Sequence, residues 1–261
     1  MWTFTPGNNI GYMVHDTAHK GRMQWAVGFF TFGQQNEANS SNSVLSVTTR
    51  VTGLPIYRDN GRRLLHFGAS FSTRDPGSGN TQYRSRPEAR FVDFMVDTGD
   101  IEAGRILLGG LEAVGVRGPF SLQAEVIASQ VQGTSSGDLM FWGSYVQVGY
   151  FLTGEHRTYD KELAVFSRLA PREDLRAINP FKKGGTGGAL ELTGRVSTVD
   201  LDEGDIHGGS MTDLSLGVNW YFSQTSLVKF NYIYSDVKDV GHANIFLLRY
   251  QFRPLPVPGW R

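Results

Sequence analysis

The chain contains no cysteine. That absence removes disulfide stapling, thiolate metal sites and cysteine nucleophiles together. Nowhere do eighteen or more apolar residues run consecutively, which excludes a transmembrane helix. An excess of charge of either sign is missing as well. The 25 Lys and Arg residues balance 25 Asp and Glu, whereas a general nucleic-acid binder is normally basic, so no nucleic acid is expected as a partner. The first residues, Met1-Trp2-Thr3-Phe4, have neither the basic start nor the apolar core of a signal peptide. No segment reads as a helix of normal length.

Catalytic constellations are scarce too. His66 and Ser70 share a strand face, but strand rise sets them roughly 13 Å apart, too far for a proton relay. His15, His19, His156, His207 and His242 fall in or near turns, without HExxH or comparable spacing. The sequence therefore predicts no enzyme, no metal and no cofactor.

What is present is alternation. With 261 residues, 32 of them glycine, and 17 Phe, 10 Tyr and 5 Trp, the composition suits a many-turned all-β protein. In 214–222 the apolar Leu214, Leu216, Val218, Trp220 and Phe222 oppose Ser215, Gly217 and Asn219. Val228, Phe230, Tyr232 and Tyr234 then alternate with Lys229, Asn231 and Ser235. Phe246, Leu248, Tyr250 and Phe252 stand against Arg249, Gln251 and Arg253. Period-2 patterning of this kind belongs to strands with one apolar and one wet face.

The same pattern recurs upstream. It appears in 22–33, in 65–72, from Phe120 to Ser129 (with Ile127 as an exception), in 138–153 and in 189–198; Ile10 to His15 reads as a short strand and 43–52 is rich in β-branched residues. About twelve strands result. Segment 93–110 mixes a short strand with a loop. Segment 154–188 lacks alternation and is crowded with charge, so it reads as a long loop. After Phe252 the prolines of the 254–261 tail cannot continue a ladder.

Two architectures fit. A β-sandwich turns its apolar faces into a shared core. A membrane β-barrel turns them outward and keeps polar residues inside. The lengths of the strands and the aromatic residues near their ends favour the barrel. The sandwich alternative would be a soluble carbohydrate-binding module, with Trp142 or Trp220 as stacking platforms.

Several separated motifs resemble one family. Tyr150 to Asp160, reading YFLTGEHRTYD, is similar to a segment of the phosphate-selective porins O and P. The likeness extends to YRSRPE at 83–88, VDTGDI at 96–101, GALELTGRVSTVDL at 188–201, the strands within 214–237, and GNNIGYMVH at 7–15. The resemblance implies an all-β, antiparallel transmembrane β-barrel of porin type, sixteen-stranded in the family. It implies a homotrimer in the outer membrane of a Gram-negative cell, in contact with its lipid. Each water-filled channel would pass small anions, phosphate or polyphosphate among them.

Against that family, residues 1–261 are expected to form a single barrel domain that is N-terminally incomplete, resembling the C-terminal three quarters of a member. Segment 154–188 would be an extracellular loop. Anion-contact candidates follow from facing: Arg195, Asn219, Lys229, Asn231, Arg249 and Arg253 lie on polar strand faces. Arg84, Arg86 and Arg90 cluster around Pro87, in a segment that a bulge or loop would aim inward. Arginine suits the task because its planar fork pairs with phosphate oxygens and keeps its charge.

Overall fold

Alternation in the sequence becomes a set of long strands in the computed structural model, which describes residues 3–5, 9–32, 44–77, 79–135, 137–172 and 187–252. The elements are β1 (Ile10–Ala18), β2 (Met23–Phe32), β3 (Val44–Arg58), β4 (Arg63–Arg74), the short β5 (Asn80–Thr81), β6 (Arg84–Ser85), β7 (Val96–Asp97) and β8 (Ile101–Glu102), then β9 (Arg105–Arg117), β10 (Phe120–Thr134), β11 (Gly137–Phe151), the short β12 (Tyr159–Asp160) and β13 (Val165–Phe166), and finally β14 (Ala189–Glu203), β15 (Ile206–Tyr221), β16 (Ser226–Val237) and β17 (Gly241–Phe252). The 11 long strands form one antiparallel meander in chain order, left only where the segments carrying β5–β8 and β12–β13 depart from it. Hairpin turns are tight. Between β14 and β15 only Gly204 and Asp205 intervene, and Gly204 takes φ +57°, which an L side chain resists.

The sheet is open. Among the described residues β1 pairs only with β2 and β17 only with β16, so the closed transmembrane barrel expected from the sequence is corrected to an unclosed sheet. The physical reason is that alternation specifies which face a residue takes but not how many strands there are, nor the stagger that would bring the first against the last. With closure go the expectations built on it. Among the described residues no closed barrel encloses a water-filled channel, so the porin function, the transmembrane strands, the trimer with one pore per copy and the outer-membrane placement are withdrawn. No described helix is long and apolar enough to cross a membrane.

Three short pairs, β5–β8, β6–β7 and β12–β13, accompany the sheet. The first two belong to a segment that packs on one face and makes that region two-layered. An unclosed sheet with a thinner second layer stands nearer the sandwich alternative than the barrel.

The two faces differ sharply. On the uncovered face stand Phe67, Leu111, Trp142, Val146, Leu216 and Leu248, with Leu111 62% and Leu248 77% exposed. The opposite, sheltered face carries buried polar groups such as His66, Glu191, Asp213 and Asn219. At one end of the strands this sheltered face turns apolar, because the 79–104 segment lies on it. Tyr83, fully buried, packs its ring 5.5 Å from Phe141 and 5.4 Å from Phe4, and its hydroxyl meets Ser129 Oγ at 2.8 Å. Ile127 joins the same cluster, which explains its departure from the polar alternation of β10.

Sequence reading also placed some boundaries short. β1 continues to Ala18, and β3 runs on to Arg58 straight through Pro55. A register shift between Gly53 and Ile56 absorbs the proline, whose carbonyl accepts a hydrogen bond from Arg22 Nη1 at 3.1 Å. Segment 93–110 holds β7, β8 and the start of β9, and the described part of 154–188 contains the β12–β13 pair.

Tyr83 anchors the inserted segment, so Tyr83→Ala should cost about 3 kcal/mol of local stability through lost burial and the cavity left behind. Amide hydrogen exchange should accelerate across 84–103 while the central strands β10 and β11 stay protected. Uniform acceleration would mean that the segment is no separate layer.

Candidate anion site

The YRSRPEARF stretch forms the site. Arg84 and Ser85 occupy β6, paired to β7 through Arg84↔Asp97 and Ser85↔Val96. Pro87 then ends the pairing, and the chain turns so that Glu88 reaches the main sheet. There the Glu88 backbone N–H donates to Asp213 Oδ2 at 3.0 Å. Its carboxylate accepts hydrogen bonds from Ser197 Oγ at 2.6 Å and Ser215 Oγ at 2.8 Å. Arg195 Nε lies 2.5 Å from Glu88 Oε1 as an ion pair whose N–H is not aligned for a hydrogen bond. Three adjacent strand positions thus converge on one carboxylate.

Around this clamp lies a cavity of about 350 Å³, bounded by Arg84, Arg86, Arg90, Phe94 and Arg195 among others. The guanidinium carbons of Arg84 and Arg86 sit 4.4 Å and 4.0 Å from the Phe94 ring centroid. Stacking engages the flat face of a guanidinium and leaves its N–H edge for acceptors. Arg86 Nη1 also donates to the Arg90 carbonyl at 3.4 Å. Among the described residues neither Arg84 nor Arg86 pairs with a carboxylate. Arg195 stacks on Tyr145 at 3.8 Å and donates to Gln147 Oε1 at 3.4 Å.

The structure therefore brings together four of the predicted basic residues, Arg84, Arg86, Arg90 and Arg195. It keeps the others apart. Asn219, Lys229 and Arg249 form one cross-strand row, and Asn219 lies four residues, roughly 13 Å, along β15 from the Arg195 partner Ser215. That row gathers around the buried Glu191, which accepts from Asn219 Nδ2 at 2.9 Å and Tyr221 Oη at 2.8 Å, with Arg157 at 3.9 Å. Burial holds Lys229 below its ordinary value, against the pull of the Glu191 charge. Asn231 lies beside Gly217, in the space that a Cβ there would fill. Arg253 lies outside the described residues.

Sequence reasoning treated Glu88 and Glu191 only as charges that offset the basic residues, and passed over Asp213. Glu88, Asp213 and Glu191 organise the basic residues, and Phe94 supports two of them. It also missed a second cluster on the sheltered face. There Arg50 Nη2 meets Glu112 Oε1 at 2.5 Å, His66 Nε2 stands 3.3 Å from the same oxygen, and His66 Nδ1 meets Tyr159 Oη at 2.6 Å. Arg50 also donates to the Ala164 carbonyl at 3.0 Å, so this cluster ties the β12–β13 pair to the sheet. Gly68 makes room, since a Cβ there would collide with Glu112 Oε1. The period-2 pattern puts Arg50, His66 and Glu112 on one face, but only strand pairing makes them neighbours.

Of the stacking platforms considered for carbohydrate, Trp142 stands on the uncovered face at 39% exposure. Trp220 is held by its Nε1 donating to the Gly187 carbonyl at 2.8 Å and by edge contact with Phe222. Among the described residues no cluster of His, Asp or Glu is arranged to hold a metal ion.

Fold and site together define an all-β protein whose sheltered sheet face carries partnered acids and an arginine-lined cavity. The family model for phosphate-selective porin O and P matches residues 2–253, and the chain belongs to that family. Porin O of Pseudomonas aeruginosa is 25% identical over 212 residues, which cover 69% of this chain and 46% of that protein. An uncharacterized protein of Caulobacter vibrioides is 31% identical over 167 residues, covering 61% of this chain and 31% of that protein. The matched stretch spans less than half the length of these curated relatives. The family's description names its members as phosphate-selective.

Two pH effects follow from the acids. Burial would raise Glu112, but its hydrogen bond to His66 and the Arg50 charge outweigh this and hold it below its ordinary value of 4.5. A depressed carboxylate contributes stability above its unfolded pKa and loses it as pH falls through the folded one. Pepsin should therefore cut within 154–172 increasingly as pH drops below that range, and Glu112→Gln should be cut readily with little pH dependence there. Asp213 is the opposite case. Burial, aided by the nearby Glu88 charge, raises it against the hydrogen bonds it accepts. Its ionisation costs stability as pH rises through the folded pKa, so Asp213→Asn should gain over the parent in chemical denaturation from pH 4 to pH 7. A constant difference across that range would contradict the assignment.

Proposed function

We propose that the arginine-lined cavity is a binding site for a small oxyanion such as phosphate, and that the chain acts by binding and not by chemistry. The observation that carries this reading is the pair Arg84 and Arg86, stacked on one Phe94 ring with no carboxylate partner among the described residues. Two guanidiniums stacked on one ring concentrate positive charge there, and an anion accepting from their N–H edges offsets that charge while gaining charge-assisted hydrogen bonds. The one acid in the wall, Glu88, is already engaged by Arg195, Ser197 and Ser215. It therefore repels an incoming anion less than a bare carboxylate would.

Membership of the phosphate-selective porin O and P family supports phosphate as the first ligand to try. The same reading assigns Arg90 and Arg195 to the rim of the site, with Lys229, Asn231 and Arg249 as secondary contacts along the sheltered face. Asn219 serves to hold Glu191. The uncovered apolar face needs an apolar cover, for which lipid or detergent chains are suited.

Isothermal titration with phosphate tests the proposal. Arg84→Ala and Arg86→Ala should each weaken binding about tenfold, the effect of losing a charged hydrogen bond. Affinity should also fall as sodium chloride is raised. Phosphate affinity untouched by both substitutions, or no saturable binding by the folded protein, would sink it.

A further inference from the structure

We infer a second binding site, for a neutral polyol of about monosaccharide size, in a cavity of about 320 Å³ bounded by Phe4 and Thr5 and by residues of β2, β3, β4, β9 and β10. Its polar side is a patch of four hydroxyls, Ser46 and Thr48 on β3 and Ser70 and Ser72 on β4. Pairing makes the patch contiguous: Thr48 stands directly opposite Ser72, with their oxygens 2.8 Å apart, and Ser46 stands opposite Arg74. Its apolar side is formed by Phe4, Phe30 and Leu108. Gly110, opposite Ser70 on β9, leaves the space open, because a Cβ there would fall 2.6 Å from Ser70 Oγ.

The chemistry of this lining differs from that of the arginine cavity. Among the described residues no carboxylate borders it, and the one charged side chain there, Arg74, is buried and donates to the Phe4 carbonyl at 3.3 Å. A fully ionic ligand would have to shed its water against hydroxyls and aromatic rings, at a cost these groups do not repay. A polyol matches both sides. Its hydroxyls can donate to and accept from a row of Ser and Thr oxygens, and its C–H face can lie against Phe30 and Leu108. Asn9 adds an Oδ1 that is buried without a hydrogen-bond partner among the described residues, an acceptor suited to a ligand hydroxyl. The volume lies at the low end for ligand pockets, which favours a single sugar ring or short alditol over an oligosaccharide.

The test uses the 261-residue chain in a zwitterionic detergent, since glycoside detergents would themselves present sugar. Hexoses, hexitols and phosphate are titrated separately, with binding followed by protein NMR shifts or calorimetry. Saturable hexose or hexitol binding is expected. It should weaken at least about fivefold in Thr48→Val and Ser72→Ala, the scale of one lost hydrogen bond, and vanish in Gly110→Val, which fills the cavity. Arg86→Ala should leave it unchanged while impairing phosphate, and retained phosphate binding by the hydroxyl variants checks that they fold. No saturable polyol binding would overturn the site. So would polyol binding insensitive to Thr48→Val and Ser72→Ala, binding lost with Trp142→Ala instead, or competition by phosphate for the same residues.

Discussion

Glu88 is the point at which the inserted layer and the sheet become one structure. Its carboxylate is engaged by Arg195 and by two serines from neighbouring strands, and its N–H is fixed by Asp213. A carboxylate removed from water must be repaid by partners, and here the repayment comes from side chains on both β14 and β15. Without that clamp, the turn at Pro87 has no reason to hold Arg84 and Arg86 over Phe94, and the arginine cavity has no fixed wall. The positive site thus depends on an acid.

The same logic repeats along the sheltered face. Glu112 gathers Arg50 and His66 beneath the β12–β13 pair, and Glu191 gathers Asn219, Tyr221 and Arg157. Each acid sits where an inserted segment or a basic row needs anchoring. This accounts for a balanced total charge on a protein whose proposed ligand is negative: field comes from local placement, and much of the acidic charge is spent on internal pairing. The hydroxyl-lined cavity, by contrast, is bordered by no acid among the described residues, which is why its inferred ligand is neutral.

Much of the fold was legible in the chain. Leu214, Leu216 and Val218 on one face, against Ser215, Gly217 and Asn219 on the other, is how β15 is built. The FLTGEHRTYD and YRSRPE motifs pointed to the family that the comparison with family models establishes. The arginines of YRSRPEARF were picked out for clustering around a proline, and they do converge. What misled was extrapolation from strand pattern to closure. Ile127 shows the limit on a smaller scale: its facing looked irregular until the layer it packs against was in view.

Sequence alone determined strand identity, facing and family, because a period of two and specific motifs are local properties that a reader can count. It also excluded thiol chemistry and a transmembrane helix through simple absence. Only the tertiary structure decided that β1 and β17 end the sheet without a further partner among the described residues, that Glu88 rather than a free solvent shell neutralises Arg195, and that Thr48 and Ser72 meet across β3 and β4. Those facts depend on register and on loops folding back over many residues, and register couples positions that lie far apart in the chain.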